Sequence, residues 1–173
     1  MERSDFVRAD VAGTDEHTAV VAIADSLFAH LSTPAVVALI RDVNQPGHSS
    51  GDVQNVFLEH AHQLGFRDES KGLFREYASS ALRPDYFMPI GESGIILEVE
   101  RGKTTINNMD LLDFWKCHIC SYAHWLYLLV PTELRQNPTM SARNEFATVS
   151  KRLSTFFEPR NYTNVRGLFL FGY

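Results

Sequence analysis

The residues with the most chemical content lie close together. They are Arg83-Pro84-Asp85 and, after a turn at Gly91 to Gly94, the run Ile95-Ile96-Leu97-Glu98-Val99-Glu100-Arg101-Gly102-Lys103. Side chains alternate along a strand, so Glu98 and Glu100 share one face, about 6 to 7 Å apart, while Leu97 and Val99 take the other. Carboxylates on an otherwise apolar strand are costly to bury unpaired and require cations, hydrogen bonds or a metal. If residues 83–90 and 95–101 pair as a hairpin, Asp85 falls near the same end. Three carboxylates gathered there form a hard, oxygen-rich site suited to Mg²⁺ or Mn²⁺. The ordinary alternative is a solvated strand face on which Arg83 and Arg101 are surface partners.

These side chains need elements to position them. Residues 1–14 read as a loose polar tail, after which Thr14-Asp15-Glu16 opens a helix carrying Val20, Val21, Ile23, Ala24, Leu27, Phe28 and Leu31. Thr33-Pro34 starts a second helix, Ala35 to Val43. Residues 44–51, with Pro46 and Gly47, read as a linker, and Ser49 or Ser50 caps a third helix that stops at Gly65. The hydrophobic period then shifts from near four to near two, which predicts strands at Lys71 to Tyr77, Pro84 to Pro89 and Ile95 to Glu100. A helix over Asn107 to His124, a buried strand from Trp125 to Val130, a helix from Asn137 through Phe157 and a closing strand at Val165 to Phe171 complete the pattern. The class is α/β with a mixed sheet flanked by helices. Residues 1–50 form an N-terminal tail and helical extension, and residues 51–173 form the α/β core, in one compact domain overall.

The Pro-Asp and Glu-x-Glu pair, on the second and third predicted strands after a helix, resembles the PD-(D/E)XK nuclease superfamily, the restriction-endonuclease-like fold. The resemblance covers about half of the chain and rests on a short motif together with the element order from residue 51 to 130. It implies an α-β-β-β-α-β core, Asp85 and Glu98 as metal-binding acids, Mg²⁺ or Mn²⁺ as cofactor, and endonucleolytic hydrolysis of DNA. Glu100 occupies the family's usual lysine position, a glutamate that some restriction enzymes of the superfamily also carry. Members often place a further Glu on the preceding helix, where Gln54, Glu59 and Gln63 are available; Glu59 is the accessory candidate.

At the lysine position the physical task is to orient or deprotonate a water, which a carboxylate does as base or metal ligand and a lysine does as a positive charge on the transition state. Two lysines can restore that charge. Lys103 lies just past the strand beside Thr104 and Thr105, where a phosphate can meet both an ammonium and free helix N-terminal amides. Lys116 falls in the middle of the apolar face of Met109, Leu112, Ile119 and Ala123. A helix descends about 13.5 Å from Asn107 to Lys116, and Glu98 lies about 13 Å before Gly102 along its strand, so Lys116 stands level with Glu98. A buried aliphatic stem that lets the ammonium snorkel is the plainer account.

Composition limits the partners. The chain has 173 residues, 45% of them hydrophobic, with 16 Lys+Arg against 21 Asp+Glu for a net charge of −5, so nucleic acid must be met through a local basic edge, a second subunit or bound metal. A homodimer or a place in a larger assembly follows from so small an acidic surface, with the helices at 15–43 available for the interface. The two cysteines form no disulfide framework and point to a reducing compartment, the cytoplasm. No secretory signal and no membrane span are read. Cys117, Cys120 and His124, with Asp113 nearby, lie along one helical face and offer a zinc alternative. Gly102-Lys103-Thr104 is no phosphate loop, because Leu97 stands where a glycine is required. A catalytically inactive nuclease-fold binding or scaffold module is the second reading of the whole.

Overall fold

The computed structural model describes residues 1–69, 72–78, 82–102, 104–135 and 141–173. The strands are β1 (Glu2–Val7), β2 (Arg67–Asp68), β3 (Tyr86–Ile90), β4 (Ser93–Val99), β5 (Trp125–Val130), β6 (Glu133–Leu134), β7 (Arg143–Asn144) and β8 (Gly167–Gly172). The helices are α1 (Asp15–Leu31), α2 (Pro34–Val43), α3 (Ser50–Leu64), α4 (Met109–Ile119) and α5 (Glu145–Ser154), the last continued by a 3-10 turn at Thr155–Phe157. Six strands form one mixed sheet in the order β1-β8-β5-β4-β3-β2, and β6 and β7 form a separate two-stranded ribbon. The centre, β4-β5-β8, is parallel, while β2, β3 and β1 run antiparallel to their neighbours.

Parallel strands connected by helices are covered on both faces, which is why Trp125 to Val130 reads as an unbroken apolar run. Ile95, Leu97, Val99, Trp125, Tyr127 and Leu129 face a core shared with α1, α2 and α3. Ile96, Leu126, Leu128 and Leu170 face a second core shared with α4 and α5. The N-terminal helices thus build half of one layer. Local chemistry sets their ends: Thr14 accepts from the His17 amide, Ser49 and Asp52 form a reciprocal capping box, and Gly65 closes α3 at φ 111°.

Four expectations fail. Residues 2–7 are an edge strand rather than a loose tail. Its inner face is polar in composition because the Arg3 guanidinium lies 5.9, 5.5 and 5.8 Å from the rings of Phe28, Phe169 and Phe171 while pairing with Asp5 and Asp25. The predicted strand at Lys71 to Tyr77 is also absent: residues 73–76 form turns, and β2 precedes them. The Glu69 carboxylate accepts from the amides of Gly72 and Leu73 at 2.6 and 2.9 Å, turning the chain so that Phe74 enters the second core. Lys71 itself lies outside the described residues. Asn137 lies outside the described residues, and the described part of the helix predicted from it starts at Glu145, after a short ribbon; the one predicted through His124 stops at Ile119. Among the described residues no single helix is long and apolar enough to cross a membrane.

Candidate active site

Asp85 immediately precedes β3, in line with Glu98 on β4, as the neighbouring pair Tyr86–Leu97 fixes the register. The two residues clasp each other's strand. The Asp85 amide donates to Glu98 Oε2 at 3.0 Å, and the Val99 amide donates to Asp85 Oδ2 at 2.9 Å. Strand alternation turns Leu97 and Val99 toward the α1–α3 core, so Glu98 faces the α4 side. There Lys116 meets it. The Lys116 ammonium donates to Glu98 Oε1 at 2.8 Å and to Asp113 Oδ1, one helical turn earlier, at 2.9 Å, and it reaches the Arg83 carbonyl at 3.5 Å. The turn leading into α4 is anchored by the buried Glu145 carboxylate, which accepts from the Thr105 amide at 3.2 Å and from its hydroxyl at 2.7 Å.

Asp85, Glu98, Glu100 and Asp113 therefore surround a single buried ammonium, and the crowding appears in their acidities. Burial is the main cause that lifts all four carboxyls above their ordinary range. Glu98 is pushed well up by burial and by the charges of Asp113 and Asp85, against the pull of Lys116. Asp85 is raised less, because the Val99 amide, Lys116 and Gln54 favour its charged form. Burial also opposes the Lys116 charge, yet Glu98 and Asp113 outweigh it and raise its pKa. Glu100 is pushed up to about 8 by burial, the Asp113 charge and a hydrogen bond to Asp113. Nothing donates to the buried Asp113 Oδ2 while both carboxyls are ionised. With a proton held on Glu100, the two share a hydrogen bond, so Glu100 carries the proton at neutral pH.

The structure thus brings Asp85, Glu98, Glu100 and Lys116 together. Lys103 lies outside the described residues. Glu59 is exposed on α3, where its carboxylate accepts from Gln63 at 3.4 Å, while Gln54 on the same helix faces the cluster and accepts from the Tyr86 hydroxyl at 3.0 Å. Asp113 is the central residue that sequence reasoning left with the cysteines; its spacing of three before Lys116 was the available signal. The shared helical face of Cys117, Cys120 and His124 does not exist, because α4 ends at Ile119. Burial raises both thiols, Cys117 well above its usual range, and His124 Nδ1 lies 2.8 Å from Ser93 Oγ. No protein-family model matches the chain, and no curated protein matches it.

Among the described residues no three His, Cys, Asp or Glu side chains form a ready metal cage. Lys116 and the Asp85 amide hold both oxygens of Glu98. A small hard cation does not demand a cage, since Mg²⁺ keeps several waters and takes one or two carboxylates plus substrate phosphate. The donors are all carboxylate oxygens, and a divalent cation among them would offset both the burial cost and the mutual repulsion that raise their pKa values. On that chemistry the residues fit such an ion.

Proposed function

We propose that this chain is a divalent-metal-dependent phosphodiesterase of the PD-(D/E)XK type that hydrolyses DNA, with Lys116 standing in for the lysine that Glu100 replaces. The observation that carries the reading is the Lys116 ammonium, which comes from a different element and lies 2.8 Å from Glu98 in the strand-end acid cluster. The order α3, β2, β3, β4, α4, β5 agrees with the α-β-β-β-α-β core of that superfamily. Asp85, Glu98 and Glu100 would hold Mg²⁺ or Mn²⁺, which when bound supplies a Lewis acid for the phosphate oxygens. Lys116 places fixed positive charge beside the reacting phosphate, where charge builds up in the transition state. With the ion bound Glu100 would give up its proton, and as a carboxylate it would orient the attacking water and accept a proton from it. The water oxygen bonds to phosphorus, the bond from phosphorus to one sugar oxygen breaks, and that oxygen leaves with a proton taken from solvent water. A second copy or a larger assembly supplies the remaining DNA surface that a chain of net charge −5 lacks.

The test is incubation of the intact chain with plasmid, linear and single-stranded DNA in Mg²⁺ or Mn²⁺, beside Asp85→Asn and Lys116→Met. Cleavage should require the ion and fall about 10²-fold or more in each variant. Cleavage that survives chelation, or is unchanged in Asp85→Asn, overturns the assignment. A second reading, the inactive binding module, draws on the reciprocal clasp, which gives Asp85 and Glu98 a structural task without any metal. Retention of DNA by the wild type with no cleavage in either ion selects it.

A further inference from the structure

A cleft of about 510 Å³ opens between the C-terminal end of α2, the loop after it, the chain following β5, and Tyr173. Its walls include Ile40, Arg41, Asn44, Pro46, Arg135 and Tyr173. Neither Arg41 nor Arg135 pairs with a carboxylate among the described residues. Among the lining side chains two free guanidiniums face one carboxylate, Glu133, which makes this a locally positive concavity on an acidic chain. The Asn44 amide nitrogen donates to the Glu133 carbonyl at 3.3 Å, while its Oδ1 is buried with no donor. An orphaned buried acceptor is expensive unless something donates to it.

The cleft is tied to the acid cluster in two places. The Tyr173 hydroxyl donates to the Glu100 carbonyl at 2.7 Å. The Arg101 guanidinium, next in sequence to Glu100, donates to the carbonyls of Gln45 and His48 and so holds the loop that forms the cleft wall. Guanidiniums recognise phosphate through paired N–H donors. Ile40 and Pro46 offer an apolar wall for a flat ring, and the volume lies within the range of small-ligand sites. We infer that this cleft is a nucleotide subsite, in which Arg41 and Arg135 grip a phosphate and the base ring lies against Ile40 and Pro46, receiving one nucleotide of a strand lifted from its stack. The choice of a nucleotide over another phosphate ester rests on the phosphodiesterase reading.

Calorimetric titration of the intact chain with dAMP tests this beside deoxyadenosine and inorganic phosphate. The variants are Arg41→Glu, Arg135→Glu and Asp85→Asn. The two arginines are exposed, so their substitution leaves the fold in place. The expected result is saturable dAMP binding, at least tenfold weaker binding of nucleoside and of phosphate alone, a loss of at least tenfold in each arginine variant, and no change in Asp85→Asn. Absence of dAMP binding, indifference to both arginine changes, or phosphate bound as tightly as dAMP overturns the subsite. Binding of dAMP lost in the arginine variants, by a chain that cleaves no DNA, leaves the subsite standing and removes the phosphodiesterase reading. Cleavage without dAMP binding does the reverse.

Discussion

Replacing Lys116 by Met keeps the side-chain length and deletes the one ammonium shared by Glu98 and Asp113, whose side chains are 3% and 0% exposed. Removing one partner of a buried ion pair typically costs about 3–5 kcal/mol, because the remaining charge is left uncompensated. For a chain of this size that is a fall in Tm on the order of 10 °C. The loss depends on pH in a definite direction. Without Lys116, Glu98 and Asp113, already raised in the folded state, titrate higher still, so above about pH 4.5 the native state binds more protons than the unfolded chain. Stability of the variant therefore falls as pH rises, by about 1.4 kcal/mol per pH unit for each retained proton. Urea unfolding followed by tryptophan fluorescence at pH 5 and pH 8 should show a small deficit at the lower pH and the full deficit at the higher. A deficit equal at both pH values, or a variant as stable as wild type at pH 8, would falsify the shared-ammonium account.

Three further outcomes follow from the same coordinates. Because Glu100 is raised to about 8 when folded, it lowers wild-type stability as pH climbs from about 4.5 to 8; Glu100→Gln should be more stable than wild type at pH 8, with the gap closing at pH 5. Gly94→Ala places a Cβ 2.2 Å from Phe87 Cε2 and 2.9 Å from the Tyr122 carbonyl, and should cost about 1–3 kcal/mol in urea unfolding; a neutral result means the β3–β4 turn packs differently. Arg152→Ala strips the cation from Asp110, which is fully buried, and should lower stability by about 1–3 kcal/mol, read from the urea midpoint at pH 7.

The acid cluster was largely legible because its geometry is periodic. Two-residue alternation puts Glu98 opposite Leu97 and Val99, and helical rise brings Lys116 level with Glu98, both from spacing alone. Asp113 was harder, since Glu98, with which it shares the Lys116 ammonium, is distant in sequence and its near neighbours, the cysteines, point to another chemistry. β1 was hidden for a related reason: its alternation is carried by Arg3 lying over aromatic rings supplied by α1 and β8, so hydropathy shows no strand. The turn at residues 73–76 depends on one carboxylate, Glu69, accepting two amides, and Phe74 and Tyr77 mimic a strand's period when that contact is unknown. Glu145 holding Thr105 is likewise a tertiary contact with no local signature.

β1 lies at the edge of the sheet and has β8 as its neighbour, so it cannot pair until a strand far later in the chain has been made. Ribosome-bound chains halted before Gly167 should therefore expose the unsatisfied amides of β5 as well as those of residues 2–7, inviting intermolecular strand exchange in incomplete products. Protease sensitivity of β1 on stalled nascent chains, lost when a chain that includes β8 is released, would register that closing step.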